Sequence, residues 1–205
     1  MNRKGKNYIS FILNLIIVIL VLTSVCDLYY NGVVGNMVAT GRDSFRYFTI
    51  DSNILLGISS LCTMFSIVFK KNLKWVTVLK LFGVTSVALT FLVVVLFLGR
   101  VLGYEMMFDG ANIYLHAVNP LLGVLTFTLF DPKKEMGIRE NILSLIPVIL
   151  YGIVYGFMVF VRKRWEDFYS LNSGVLEGKW YLSFLVLLIM TFTISLVIGK
   201  AYRKK

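Results

Sequence analysis

Two short stretches of this chain hold the side chains best suited to chemistry. The first, Tyr47-Phe48-Thr49-Ile50-Asp51-Ser52-Asn53, places Thr49 and Asn53 four residues apart, on one face of any helix that contains them, with Ser52 beside them. The second, Leu115-His116-Ala117-Val118-Asn119-Pro120, places the only histidine three residues before Asn119, again on a shared face. A threonine hydroxyl becomes a useful nucleophile when a base removes its proton, and imidazole does this near neutral pH. If the two faces meet, Thr49 is the candidate nucleophile and His116 the candidate general base. Asn53 and Asn119 would then hold the imidazole tautomer or donate to an oxyanion, with Ser52 and Asp51 as helpers. Asp51 equally suits helix capping or pairing with a basic neighbour. The competing reading of Thr49 and His116 is interhelical hydrogen bonding without chemistry. No G-x-S-x-G or H-E-x-x-H motif is present, and one histidine without a cysteine or carboxylate at ligand spacing argues against zinc. No metal and no cofactor are implied.

The elements that must carry these residues follow from hydropathy. The 205 residues are 58% hydrophobic, with a mean hydropathy of +0.78. Their apolar residues fall into blocks long enough to cross a bilayer, which takes roughly 20 helical residues. The blocks predict six transmembrane helices at about 8–26, 47–69, 75–98, 113–130, 142–161 and 181–199. Six such helices use almost the whole chain, so residues 1–205 read as one all-α, polytopic membrane bundle. The apolar run after Met1-Asn2-Arg3-Lys4-Gly5-Lys6 is long enough to span and lacks an A-x-A-like site, so it reads as an uncleaved first span.

Charge sets the expected orientation. With the N-terminus inside, thirteen Lys and Arg fall on the cytoplasmic side, including the clusters at Lys70, Lys71 and Lys74, at Lys133 and Lys134, and at the C-terminal Arg203, Lys204 and Lys205; seven fall outside. That asymmetry predicts both termini in the cytoplasm. Arg162-Lys163-Arg164 runs against the rule, although Glu166, Asp167 and Glu177 follow it. Thr49 and His116 then both sit a few residues in from the outer ends of the second and fourth spans, near one depth, and the expected acyl site lies between those two spans. The remaining cation, Lys80, falls inside the third span.

The net charge of +10 is spread over loops and ends, with no nucleic-acid motif, so no nucleic-acid partner is expected. Arg42, Arg46, Arg100 and Arg162 line the expected outer rim. There they could receive a carboxylate or phosphate head group, or simply snorkel among lipid head groups. Trp165, Trp180 and Tyr181 flank the last two spans as an aromatic belt. Gly152 and Gly156 form a small-xxx-small face, read first as close packing within the bundle and second as a surface for oligomerisation. Cys26 and Cys62 are too few for a disulfide framework and read as small membrane-buried residues.

Tyr47 through Leu55 and Leu115 through Leu122 resemble the matching stretches of the androgen-induced-gene family of small multi-span membrane proteins. Asp131-Pro132-Lys133 and the spacing of Pro147, Tyr151 and Tyr155 add weaker support. Characterised animal members are threonine hydrolases of fatty-acid esters of hydroxy fatty acids. They use a threonine at the start of an early span and a later histidine, to which Thr49 and His116 correspond. Here His116 is followed by Ala-Val-Asn-Pro rather than the animal pattern, which leaves the substrate open. The resemblance implies a multi-pass cell-membrane lipid ester hydrolase whose partners are membrane lipids and its ester substrate. The alternatives are a binder or transporter of a small or lipidic ligand and a structural membrane subunit.

Overall fold

The structure is a computed structural model that describes residues 2–34, 37–38, 40–71, 73–172 and 178–203. Glu177, Lys204 and Lys205, counted in the charge pattern, lie outside the described residues. Six helices are long and apolar enough to cross a membrane: α1 (Arg3–Asn31), α2 (Phe48–Val68), α3 (Lys74–Leu102), α4 (Ala111–Phe130), α5 (Ile138–Val161) and α6 (Trp180–Arg203). All six apolar blocks became helices. They extend past the expected bounds chiefly at the ends of α1, α3, α5 and α6, where polar residues continue the helix after the apolar run stops. Pro120 and Pro147 sit where a π-helical turn gives way to α-helix and in the first turn of the main α5 helix.

An even number of spans places both termini at one end of the bundle. There the Tyr202 hydroxyl donates to the Pro132 carbonyl at 2.9 Å and accepts from the Lys134 N–H at 2.6 Å. The opposite end carries the connections that reach Thr49 and His116. The first of these contains a two-residue antiparallel pairing of Val33–Val34 with Met37–Val38 and a 3-10 turn, Gly41–Arg46.

Helices α2 and α3 pack with little between them. A Cβ on Gly83 would lie 2.8 Å from the Leu56 Cα, so the glycine lets two backbones approach. Around this crossing Ile17, Val21, Leu56, Leu81, Val84, Val87 and Phe127 form the buried apolar centre. Gly152 instead makes room on α5 for a side chain of α6, since a Cβ there would meet the Phe184 ring at 2.2 Å. Gly156 meets nothing closer than Phe160 of its own helix, at 4.0 Å. The small-residue face therefore divides: Gly152 packs within the bundle and Gly156 does not. Cys26 is exposed on the bundle surface and Cys62 half-buried.

Lys80 is the charge the sequence left inside a span. Its ammonium donates to Asn14 Oδ1 at 2.7 Å and to the Ser60 hydroxyl. Asn14 donates in turn to the Asp131 carboxylate at 2.9 Å, and Ser10 donates to the same oxygen at 2.6 Å. One amide thus relays a buried cation to a buried anion and ties α1, α2, α3 and the end of α4 together near the terminal end. Burial disfavours the Asp131 charge and pushes its carboxyl above the ordinary carboxylate range, while Lys80 pulls it back.

Candidate active site

His116 lies in a π-helical turn, Tyr114–Val118, that opens α4. The wider turn is a local departure of the kind often found at functional sites. The chain reaches it through a hook made of a five-residue helix, Tyr104–Phe108. Gly103 and Gly110, at φ +94° and +52°, turn the backbone on either side of the hook, in a region where a side chain is unfavourable. A short helix leaves its last carbonyls without partners. Two are taken up here: Met107 O lies 2.7 Å from His116 Nδ1, and Met106 O accepts from Asn112 Nδ2 at 3.2 Å.

The Met107 contact decides the imidazole tautomer. A carbonyl only accepts, so Nδ1 carries the proton and Nε2 of the neutral ring is left as an acceptor. Thr49 Oγ1 lies 3.3 Å from that Nε2. The hydroxyl is therefore the donor, and its proton already points at the base that would take it. The contact is at the long end of hydrogen bonding, as catalytic contacts often are before substrate arrives. His116 is 6% exposed, so its ring works away from bulk water.

Asn53 and Asn119 do hold the site, but not in the expected roles. Asn53 Nδ2 donates to Thr49 O at 2.8 Å and to Leu115 O at 3.1 Å, and Asn53 Oδ1 accepts from Asn119 Nδ2 at 2.9 Å. Both protons of the Asn53 amide are committed to carbonyls, so it has none for an oxyanion. Neither asparagine touches the imidazole, whose tautomer is set by Met107. They form a clamp between the first turn of α2 and the opening of α4, on the carbonyl of Thr49 and on that of the residue before His116. Ser52 donates to Thr49 O at 3.1 Å and lies 3.2 Å from the Thr90 hydroxyl of α3. Asp51 is half-buried and makes no hydrogen bond to Thr49 or His116; its charge falls near Tyr151 and Tyr169.

Thr49 stands on the wall of a cavity of about 440 Å³. The cavity lies among α2, α3, α5 and α6, and its lining is almost wholly apolar, with Val93, Leu96, Phe97, Phe184 and Leu187 prominent. The cavity that Thr49 lines is not between spans two and four, where the acyl site was expected. The α2–α4 gap is filled by the asparagine clamp, whereas α5 and α6 diverge from α2 and α3 far enough to leave space. None of Arg42, Arg46, Arg100 and Arg162 lines this cavity. Arg42, Arg100 and Arg162 are exposed. Arg46 lies 5.2 Å from the Tyr47 ring centre and donates to the Tyr47 hydroxyl at 3.2 Å.

Sequence reasoning missed the segment that follows α5. Asp167 folds it: its carboxylate accepts from the Tyr155 hydroxyl at 2.8 Å and from the N–H groups of Leu171 and Asn172 at 2.9 and 2.8 Å. Tyr169, Ser170 and Leu171 thereby join the cavity wall. The Phe48 N–H, at the start of α2, donates to the Tyr169 hydroxyl at 2.8 Å. The signal available in sequence was the density of aromatics in Trp165, Phe168 and Tyr169, which reads equally well as an interfacial belt. No family model, curated protein or solved structure matches the chain.

Proposed function

We propose that this chain is a multi-pass cell-membrane hydrolase of lipid esters, with Thr49 as nucleophile and His116 as general base. The reading rests on one observation: the Thr49 hydroxyl faces the unprotonated nitrogen of a tautomer-locked, buried histidine while standing on the wall of an apolar cavity. A hydrogen-bonding role alone explains the contact but gives no reason for the adjoining cavity. The Thr49 and His116 stretches' resemblance to the androgen-induced-gene family supports the same chemistry.

The reaction follows from these atoms. An acyl chain occupies the cavity with its ester carbonyl carbon at Thr49 Oγ1. As the Oγ1–carbon bond forms, the hydroxyl proton passes to His116 Nε2 and the carbonyl electron pair moves onto oxygen. The intermediate collapses, the ester C–O bond breaks, and the departing alkoxide takes the Nε2 proton to leave as an alcohol. Water then attacks the acyl-threonine while Nε2 accepts its proton. Collapse returns that proton to Thr49 Oγ1 and frees the carboxylic acid. The Met107 carbonyl stabilises the imidazolium formed in each half, because Nδ1–H remains its donor.

The excess of Lys and Arg at the terminal end supports a cytoplasmic N- and C-terminus, with the site near the outer leaflet. The test is an alkyl fluorophosphonate on the purified protein, with the modified residue mapped by mass spectrometry. Labelling on Thr49, lost in Thr49→Ala, is the expected result. His116→Ala should slow ester turnover by roughly 10²–10⁴-fold. A folded protein that neither labels nor hydrolyses esters would refute catalysis and leave the cavity as the site of a binder.

A further inference from the structure

The reaction above needs donors for the oxyanion: both Asn53 amide protons are committed to carbonyls, and Asn119 does not line the cavity. Two groups at the start of α2 can supply them. Tyr47, which precedes the helix, makes no side-chain cap. The Ile50 and Asp51 N–H groups bond to Tyr47 O at 3.0 and 3.3 Å. The Phe48 N–H is taken by the Tyr169 hydroxyl. Among the described residues the Thr49 N–H has no acceptor. It is therefore a free backbone donor on the nucleophile itself, at the positive end of a 21-residue helix.

Tyr169 is the second group. Its oxygen is held 2.8 Å from the Phe48 nitrogen, one residue from the nucleophile, and its ring lines the cavity that Thr49 lines. Receiving an N–H on its oxygen leaves the phenol its own proton to give. In the free protein that proton rests on the neighbouring Tyr151 hydroxyl, whose own proton goes to Arg46 O at 2.6 Å; an oxyanion, the stronger acceptor, would draw it away from this neutral oxygen. The phenol is also positioned from behind, since the Tyr169 N–H donates to the Tyr155 hydroxyl at 3.3 Å.

We propose that the Tyr169 hydroxyl and the Thr49 backbone N–H together form the oxyanion-binding site, which makes Tyr169 a catalytic residue. This rests on the hydrolase reading. As Thr49 Oγ1 bonds to the ester carbon, the carbonyl oxygen gains the electron pair and accepts these two hydrogen bonds. No proton leaves Tyr169, and the bonds weaken again when the carbonyl re-forms. The arrangement orients the substrate: the carbonyl oxygen faces the 168–171 segment while the acyl chain runs into the cavity. Burial holds the phenol above its ordinary ionisation range, so it stays a donor across neutral pH. The titratable groups facing it are Tyr47 and Asp51 from the start of α2 and Tyr151 and Tyr155 from α5.

The experiment uses the full-length protein in detergent with an umbelliferyl ester of a medium-chain fatty acid, and an alkyl trifluoromethyl ketone as inhibitor. That ketone binds by forming an oxyanion adduct, so it senses the donors directly. Tyr169→Phe should lower kcat by about 10²-fold or more, the usual loss for one such donor, weaken the ketone by a similar factor and leave KM unchanged, while thermal stability falls modestly because the Phe48 N–H loses its acceptor. Replacing Tyr169 with fluorotyrosine keeps the ring and the contact to Phe48 but makes the phenol more acidic. It should retain activity and move the alkaline limb of the kcat profile to lower pH, also in an Asp51→Asn background. If Tyr169→Phe keeps kcat and ketone affinity within a few-fold of wild type, Tyr169 is not the donor. If Tyr169→Phe fails to fold, the fluorotyrosine profile decides, and an unshifted alkaline limb overturns the assignment. A wild-type protein without esterase activity would overturn the hydrolase reading itself, whereas a Thr49-dependent wild type with an indifferent Tyr169→Phe overturns only this inference.

Discussion

Replacing Asn53 with alanine tests how the candidate site is held independently of the chemistry proposed for it. The side chain is completely buried and makes two interhelical hydrogen bonds, to Leu115 O at 3.1 Å and from Asn119 Nδ2 at 2.9 Å. It makes one further bond within α2, to Thr49 O at 2.8 Å. In membrane bundles an interhelical hydrogen bond averages about 0.6 and reaches about 1.7 kcal/mol, so losing two should cost about 1–3 kcal/mol. The effect on turnover should be larger. Both carbonyls that Asn53 holds belong to Thr49 or to the residue before His116, and misplacing reacting groups by roughly 1 Å can cost on the order of 10²-fold in rate. The assays are equilibrium unfolding in mixed detergent and the rate of fluorophosphonate labelling at Thr49. Thr193→Ala, an exposed hydroxyl bonded only to its own helix at Ile189 O, is the control and should change neither. A double-mutant cycle with Asn119→Ala should return a positive coupling energy. Asn53→Ala with wild-type stability and labelling would show that the clamp does not position the pair.

Gly152→Leu should destabilise the bundle by about 1–3 kcal/mol, because it drives bulk into Phe184, while Gly156→Leu should stay within about 0.5 kcal/mol; equal melting temperatures for the two would refute the division of that face. A cysteine at Gly110 should react with an impermeant maleimide added to intact cells and one at Gly137 should not, and the reverse pattern would invert the orientation. Lys133, just beyond α4, is pushed down to about 8 from 10.5 by partial burial. The unfolded chain therefore binds more protons than the folded one between those values, so stability in detergent should rise with pH across that window. Lys133→Met should flatten the rise, and an unchanged slope in that variant would assign it to other groups.

Much of this protein is written in one dimension. A bilayer demands long apolar helices because unpaired backbone groups are too costly in hydrocarbon, so six apolar blocks became six helices. Helical periodicity likewise put Thr49 with Asn53 and His116 with Asn119, because spacings of three and four depend on local geometry alone. What hydropathy does not encode is which helices adjoin and where a gap remains between them. Lipid-facing and bundle-facing apolar residues look alike in sequence, so the cavity among α2, α3, α5 and α6 was not legible, and neither was the split between Gly152 and Gly156. The tautomer of His116 depends on a backbone carbonyl nine residues earlier, presented by a hook that two glycines turn. The amide relay between Lys80 and Asp131 joins side chains from three separate helices and the turn after a fourth. Tyr169 reaches Phe48 across 121 positions, held by a loop whose carboxylate satisfies its own backbone. In each case tertiary structure decided the hydrogen-bonding, because a polar group's role follows from the partner that satisfies it once water is excluded, and that partner is not set by local helical spacing.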